Sequence, residues 1–472
     1  MKSLPFYQKV KIIAIIVAMF FSGTFSQAQD VTGQWNGVLS VQGMNLRIVF
    51  HINTTGEVYT STMDSPDQGA FGISVPSTIF DNTDLSLGIP ALGLSYKGVL
   101  MTDSIVGTFK QGTLTFPLTL KRTVAEVKPV SRPQEPKPPF PYRSEDVTFV
   151  NKSADVILAG TLTMPGTGSN FTAVILITGS GAQNRDEEIM GHKPFLVIAD
   201  YLTRLGIAVL RYDDRGTAQS SGNFVAATTA DFAADAESAI AYLKTRKEIN
   251  PQKIGLIGHS EGGIIAPMIA AQSGDVGFIV MLAGTGIRGD ALLLLQHEAV
   301  YRVSGMPEDK LAKAIEINAK VMDRIVNTNG DVSRKEITDF MTTMKDDIAM
   351  VVYGGITSDD YIQQFAISLS SPWMQYFLRY DPAHALGKVF CPVLAVNGDK
   401  DLQVLSTENL TAISAALKKG GNTKVTIKEY PGLNHLFQES TTGSPAEYAI
   451  IEQTFSPEVL KDLGEWILRI EN

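Results

Sequence analysis

Residues 256–263, LIGHSEGG, set a histidine, a serine and a glutamate among three glycines. A serine hydroxyl is a weak nucleophile until a neighbouring base takes its proton, and glycine is costly wherever the backbone does not need it. The stretch follows the apolar run KIGLI (253–257) and leads into GIIAPMIAAQ (263–272), which reads as a buried helix. Gly-x-Ser-x-Gly between a strand and a helix predicts a sharp elbow that lifts Ser260 above a sheet, with Gly258 and Gly262 leaving room for the turn to close. The helix N-terminus beneath it favours negative charge at that point. His259 adjoins the serine, and an elbow of this kind points its side chain away from the hydroxyl.

Outward from the elbow, near-continuous apolar runs alternate with helical stretches. TAVILITGSG, GIAVLRYDDRG, VGFIVMLAGTG and CPVLAVNGDKD share the form of KIGLIGHSEGG, and helices are predicted over Phe195–Leu205, Phe232–Arg246 and Ile264–Gln272. Strands that are apolar on both faces belong to a mostly parallel sheet covered by helices on each side, an α/β fold. Functional residues then gather at the carboxyl ends of the strands. Residues 286–385 interrupt the rhythm with amphipathic helices and no clear strand. They are expected to form a cap over the active edge, with the run Leu292–Leu295 in its helix core.

A serine elbow needs a base, and the chain holds six histidines. His435, in the loop after KVTIKEY, is the one late in the chain and just past a strand. The acid that orients it must follow CPVLAVN, where Asp399 and Asp401 both qualify and spacing does not choose between them. The oxyanion of an acyl-transfer intermediate needs two amide donors. One is the N–H of Glu261, directly after the serine; the other comes from the Thr178-Gly179-Ser180-Gly181 loop, with Ser180 the first candidate and Gly181 the second. Arg185, Asp186, Asp213 and Arg215 lie at the same edge, and are expected to pair with each other and brace the loops rather than touch substrate. No metal site is expected: the histidines are scattered and the one cysteine is Cys391. Neither a dinucleotide loop nor a phosphate loop is present, so no cofactor is expected.

Before this body, residues 29–125 read as seven or eight short strands punctuated by glycine and asparagine, which predicts a small antiparallel barrel or sandwich. Trp35, Tyr59, Phe71, Phe109 and Phe116 are its expected core. Residues 126–146 are rich in proline and poor in aliphatic side chains, a linker or a strap laid on a neighbour. At the N-terminus Lys2, Lys9 and Lys11 precede the apolar run Ile12–Phe21 and the small-residue pattern Ser26-Gln27-Ala28. That is the pattern of a cleaved signal segment, residues 1–28, and predicts a periplasmic or secreted protein cut near Ala28. About ten apolar residues are too few to span a bilayer, so no stable membrane insertion is expected. Without residues 1–28 the balance is 37 basic against 49 acidic residues. A surface of that sign repels nucleic acid. A lone cysteine cannot form an internal disulfide.

Residues 147–472, through LITGSGAQNRDE (176–187), VLRYDDRGTAQSSG (209–222), LIGHSEGG, NGDKDLQV (397–404) and NHLFQ (434–438), resemble the α/β-hydrolase superfamily, and in particular its exported bacterial esterase-like and serine-aminopeptidase-like members. The resemblance implies Ser260 as nucleophile, Asp401 as acid through its place in Gly-x-x-Asp-x-x-Val, His435 as base, and Ser180 and Glu261 as oxyanion donors. Thr178 stands where relatives often have histidine, and Ala218 where they commonly have glycine. The expected activity is that of a serine carboxylesterase acting on small or medium uncharged esters. Cleavage of N-terminal residues from short peptides is the alternative, with Glu261, Glu187 or a cap acid holding the free amine. An inactive binding protein is the third reading. The N-terminal domain is open to glycan binding, to walling the entrance, or to making a homo-oligomer.

Overall fold

The computed structural model describes residues 30–470, apart from 42–43, 57, 67–69, 90–93, 112–113, 123–130 and 353–356. The expected signal segment lies outside the described residues. The larger sheet has eight strands, β1 (Arg143–Asn151), β2 (Val156–Met164), β3 (Phe171–Ile177), β4 (Ala208–Tyr212), β5 (Ile249–His259), β6 (Phe278–Leu282), β7 (Val393–Gly398) and β8 (Val425–Tyr430). Their order is β1-β2-β4-β3-β5-β6-β7-β8. The pairs β1–β2 and β2–β4 are antiparallel; every later pairing is parallel.

The central strands are buried on both faces because their side chains alternate between two apolar layers. Ile175 and Ile177 of β3 pack with Leu256, Ile264 and Ile265 on one side. Val174 and Leu176 pack with Ile198, Leu202 and Ile467 on the other. Burying each such side chain stabilises the fold by about 1.5–3 kcal/mol relative to exposure. The three expected helices are present as α1 (Pro194–Arg204), α2 (Thr229–Leu243) and α3 (Gly262–Ala270), the second beginning earlier than expected. The earlier start follows from a capping box in which Thr228 and Asp231 satisfy each other's backbone.

Between β6 and β7 the described residues form seven helices, α4 (Gly289–Val303), α5 (Glu308–Val326), α6 (Arg334–Thr342), α7 (Lys345–Val351), α8 (Ser358–Leu369), α9 (Pro372–Arg379) and α10 (Ala383–Leu386). They enclose an apolar core of their own that includes Ile317, Val321, Met341 and Leu378. Helices α11 (Ser406–Lys419) and α12 (Pro457–Ile470) complete the cover of the sheet.

The N-terminal sheet has nine strands between Gly33 and Lys121, one or two more than the sequence suggests. The run FGISVPSTIFDN holds two strands, Ala70–Val75 and Ser77–Asp81, divided at Pro76. Proline has no N–H to give a ladder and ends the pairing there. These two strands are the opposite edges of the sheet. The sheet curls into a near-closed barrel, and the hydroxyls of Ser61 and Thr78 meet at 2.5 Å across the seam. Trp35, Phe50, Tyr96 and Phe109 fill the interior, with Tyr59 and Phe116 partly buried against them; the Phe71 side chain lies outside the description. The described part of the linker lies as a strap on the larger domain. There Arg132 donates to the carbonyls of Met190, Gly191, Ala449 and Ile451, and Gln134 pairs with the main chain of Thr454 and Phe455.

Candidate active site

The elbow is built by steric exclusion. A Cβ at Gly258 would sit 1.9 Å from the carbonyl oxygen of Gly262, and one at Gly262 would sit 2.2 Å from that of Ile177. Only glycine lets β5, β3 and the start of α3 approach so closely. Between them Ser260 has φ of 53°, a left-handed conformation that costs a side-chain-bearing residue about 1–2 kcal/mol. Its N–H donates to the Leu282 carbonyl at 2.9 Å, which ties the strained residue to β6.

His435 and Asp401 are both buried, and Nδ1 of the histidine lies 2.8 Å from Oδ2 of the aspartate. Asp401 Oδ1 accepts the N–H groups of Gln403 and Val404 at 2.8 and 2.9 Å. Asp399 is engaged elsewhere, accepting the Gly432 N–H at 2.6 Å. The His435 loop is held by Asn434, whose Oδ1 accepts from Leu436 and Gln438. Nε2 of His435 and Oγ of Ser260 have no hydrogen-bond partner among the described residues, so the structure does not join Ser260 to His435. Such contacts often tighten only when substrate binds.

The loop after β3 is held by two buried acids. Glu187 accepts the Gly179 N–H at 2.7 Å. Asp214 accepts the Thr178 hydroxyl at 2.8 Å and the Gln183 N–H at 3.0 Å. The amides of Ser180 and Gly181 between these anchors have no acceptor among the described residues. The Glu261 amide is equally free at the head of α3. Burial pushes the Asp214 carboxyl up to about 8, against the two hydrogen bonds it accepts and with the help of the Glu261 and Glu187 charges. An acid raised in the folded state stabilises the fold fully below its unfolded value, about 3.9, and loses that contribution as pH rises through 8. Asp214→Asn is therefore expected to leave the thermal midpoint unchanged at pH 4 and to raise it by about 2–4 °C at pH 9, measured by calorimetry.

Of the four charged residues expected to brace one another, one pair forms. Arg185 holds Asp213 through two nitrogens, at 2.8 and 3.1 Å, and reaches Asp146 and Gln219 as well. Asp186 pairs instead with Arg211, and Arg215 with Asp231 and Asp235. Asp186 is taken by Arg211 and Arg215 by the two acids of α2, so the four do not all pair with one another. Ala218, in the same loop system, has φ of 47°, which glycine adopts with less strain.

The sequence leaves unread the partners of His259. Its Nδ1 lies 2.9 Å from Glu187 Oε1 and its Nε2 3.0 Å from the His435 carbonyl, while the two imidazoles face each other with centroids 4.8 Å apart. Glu187 Oε1 is thereby engaged, and Glu187 is not among the residues that line the cavity at Ser260. Glu261, though adjacent to Ser260, turns its carboxylate toward α2 and the cap: Oε1 accepts from Thr229 at 2.6 Å and from the Trp373 indole at 2.8 Å. Burial raises its pKa and those two hydrogen bonds oppose the shift. The run Leu292–Leu295 is more than helix core, since Leu292 and Leu293 line the cavity above Ser260. That cavity holds about 220 Å³ and is walled by these leucines with Trp373, Met374 and Phe377 of α9 and Val404, beside the polar Ser180, Thr285, Gln296 and Gln403.

Among the described residues no cluster of histidine, cysteine and acid side chains is arranged to hold a metal ion, and no helix is long and apolar enough to cross a membrane. A family model described as Hydrolase_4, serine aminopeptidase, S33, matches residues 193–440. The chain belongs to that family. It is an α/β-hydrolase with esterase-type and serine-hydrolase relatives. Esterase EstD of Thermotoga maritima is 25% identical over 332 residues, which cover 70% of this chain and 69% of that protein. Among solved structures, the Pyrococcus furiosus esterase Pf2001 covers 72% of this chain and 98% of its own, at 15% identity and a TM-score of 0.41. Est1E of Butyrivibrio proteoclasticus, solved with ferulic acid, covers 69% and 99% at 17% identity and a TM-score of 0.39. The family match begins after the loop that carries Ser180, and includes Ser260, Asp401 and His435.

Proposed function

We propose that the protein is a carboxylesterase that hydrolyses small or medium uncharged esters through an acyl-enzyme on Ser260. The observation that carries this reading is a buried His435–Asp401 pair at the same sheet edge as a serine strained into an elbow, which lines a cavity with apolar walls. His435 Nε2 takes the Ser260 proton as Oγ bonds to the acyl carbon; the carbonyl oxygen becomes anionic and is met by the amides of Ser180 and Glu261. Collapse breaks the C–O bond to the alcohol, which leaves with the proton from His435. Water then repeats the sequence: its proton goes to His435, its oxygen to the acyl carbon, and Ser260 recovers its hydrogen as the acid departs. Asp401 holds the ring so that Nε2 is the basic nitrogen, and stabilises the imidazolium formed in each half-reaction. Leucine, tryptophan and phenylalanine walls suit an apolar acyl or alcohol group. Export ahead of cleavage near Ala28 belongs to the same proposal.

One observation favours the peptidase reading as second: Glu261 is among the residues that line the cavity, and its Oε2 has no partner among the described residues. A panel of 4-nitrophenyl esters beside aminoacyl 4-nitroanilides, assayed on wild type and Glu261→Gln, separates the two. Gln retains an Oε1 acceptor for Thr229 and Trp373. The expected result is ester turnover at least 100-fold above amide turnover in kcat/KM, and less than about tenfold loss of ester activity in Glu261→Gln. Turnover confined to amides with a free amine, lost in the variant, would reverse the order.

A further inference from the structure

His259 sits with both ring nitrogens against acceptors. A main-chain carbonyl, that of His435, can only accept, and it lies 3.0 Å from Nε2. The oxygen facing Nδ1 at 2.9 Å, Glu187 Oε1, already receives the Gly179 N–H at 2.7 Å. A neutral imidazole carries one N–H and would leave a lone pair aimed at an oxygen lone pair in a buried site, an arrangement that costs as much as an unmade hydrogen bond. The small cavity beside the ring is lined by apolar side chains that include Phe195, Ile198, Leu282, Leu436 and Phe455.

We propose that His259 is a positioning residue held as an imidazolium, which clamps the loop of the base and the loop of the oxyanion donors to the nucleophile elbow through one Glu187–His259–His435 chain. Burial opposes the charge, but the Glu187 carboxylate, its hydrogen bond, the His435 carbonyl and the Asp401 charge outweigh burial, and the His259 pKa stands above the ordinary histidine value. The charged groups facing it are Glu187 and, beyond the His435 ring, Asp401. The His259 ring lies 4.8 Å from the His435 ring, so the clamp sets where that ring stands relative to the elbow. Its side chain thereby acts on the reaction without touching substrate.

Two measurements decide the matter. In ¹⁵N-histidine NMR of the wild-type protein at pH 8, His259 is expected to show protons on both ring nitrogens; its signals are identified by their loss in His259→Gln or, should that variant not fold, by through-space contacts with His435. A single N–H, whether the second proton is absent or resides on Glu187, would overturn the proposal. In His259→Gln kcat toward esters is expected to fall about tenfold while KM changes less than about twofold. A loss carried by KM or by a smaller folded fraction, with kcat per folded molecule unchanged, marks a merely structural role and also overturns it. The kinetic arm rests on His435 being the base proposed above, whereas the NMR arm does not. Full activity of His435→Asn would sink the hydrolase reading and leave the protonation state of His259 as measured.

Discussion

Ser260→Ala is expected to lower kcat toward esters by about 10⁵-fold or more and to abolish covalent labelling by a fluorophosphonate, with the fold retained. The stability half of that expectation comes from the geometry. The strain at φ of 53° belongs to the backbone and Cβ, which alanine keeps, and Ser260 Oγ has no hydrogen-bond partner among the described residues to lose. The unfolding midpoint should therefore move by no more than corresponds to about 1 kcal/mol. The activity half comes from chemistry, since without Oγ no acyl-enzyme forms. Turnover in the variant near the wild-type rate, measured with the same ester, would restore the inactive-scaffold reading or place the nucleophile elsewhere.

Asp401→Asn is expected to lower kcat by about 10³–10⁴-fold, while Asp399→Asn changes it less than about twofold. The size of the first effect follows from how Asp401 is held. Its Oδ1 accepts two backbone N–H groups, from Gln403 and Val404. In an asparagine the carbonyl oxygen must stay with those donors, which turns the NH₂ toward His435 Nδ1. That nitrogen then becomes an acceptor, the ring proton moves to Nε2, and His435 presents a donor where the serine proton has to be received. In Asp399→Asn the carbonyl oxygen still accepts from Gly432, and no catalytic group is touched. Equal losses in the two variants would remove Asp401 from its role as orienting acid.

Much of this was legible in the chain itself. The alternation of apolar runs with helical stretches carries the parallel sheet, because strands buried on both faces cannot afford polar positions. The elbow is legible because Gly258 and Gly262 are the only residue type that permits such backbone approach, and steric exclusion is local in sequence. The hundred-residue gap between strands identified the cap for the same reason: amphipathic periodicity is a property of neighbours along the chain.

Other features were not legible, and the cause is physical in each case. Spacing does not separate Asp399 from Asp401, since two residues of offset matter only once the His435 loop has been folded back across β7. The partners of Arg215, Asp186 and Glu261 come from α2, β4 and the cap, segments distant in sequence or reversed in direction. His259 shows the limit most sharply. Its neighbour Ser260 is one residue away, yet both of its hydrogen-bond partners, at positions 187 and 435, reach it through the packing of loops from three strands. The sequence by itself determined the sheet, the elbow and the short roster of candidate groups, because backbone sterics and hydrophobic periodicity act between near neighbours. Only the tertiary structure decided which acid meets His435, which side chains wall the cavity and where His259 is tied, because hydrogen bonds form between atoms that long-range folding alone brings within 3 Å.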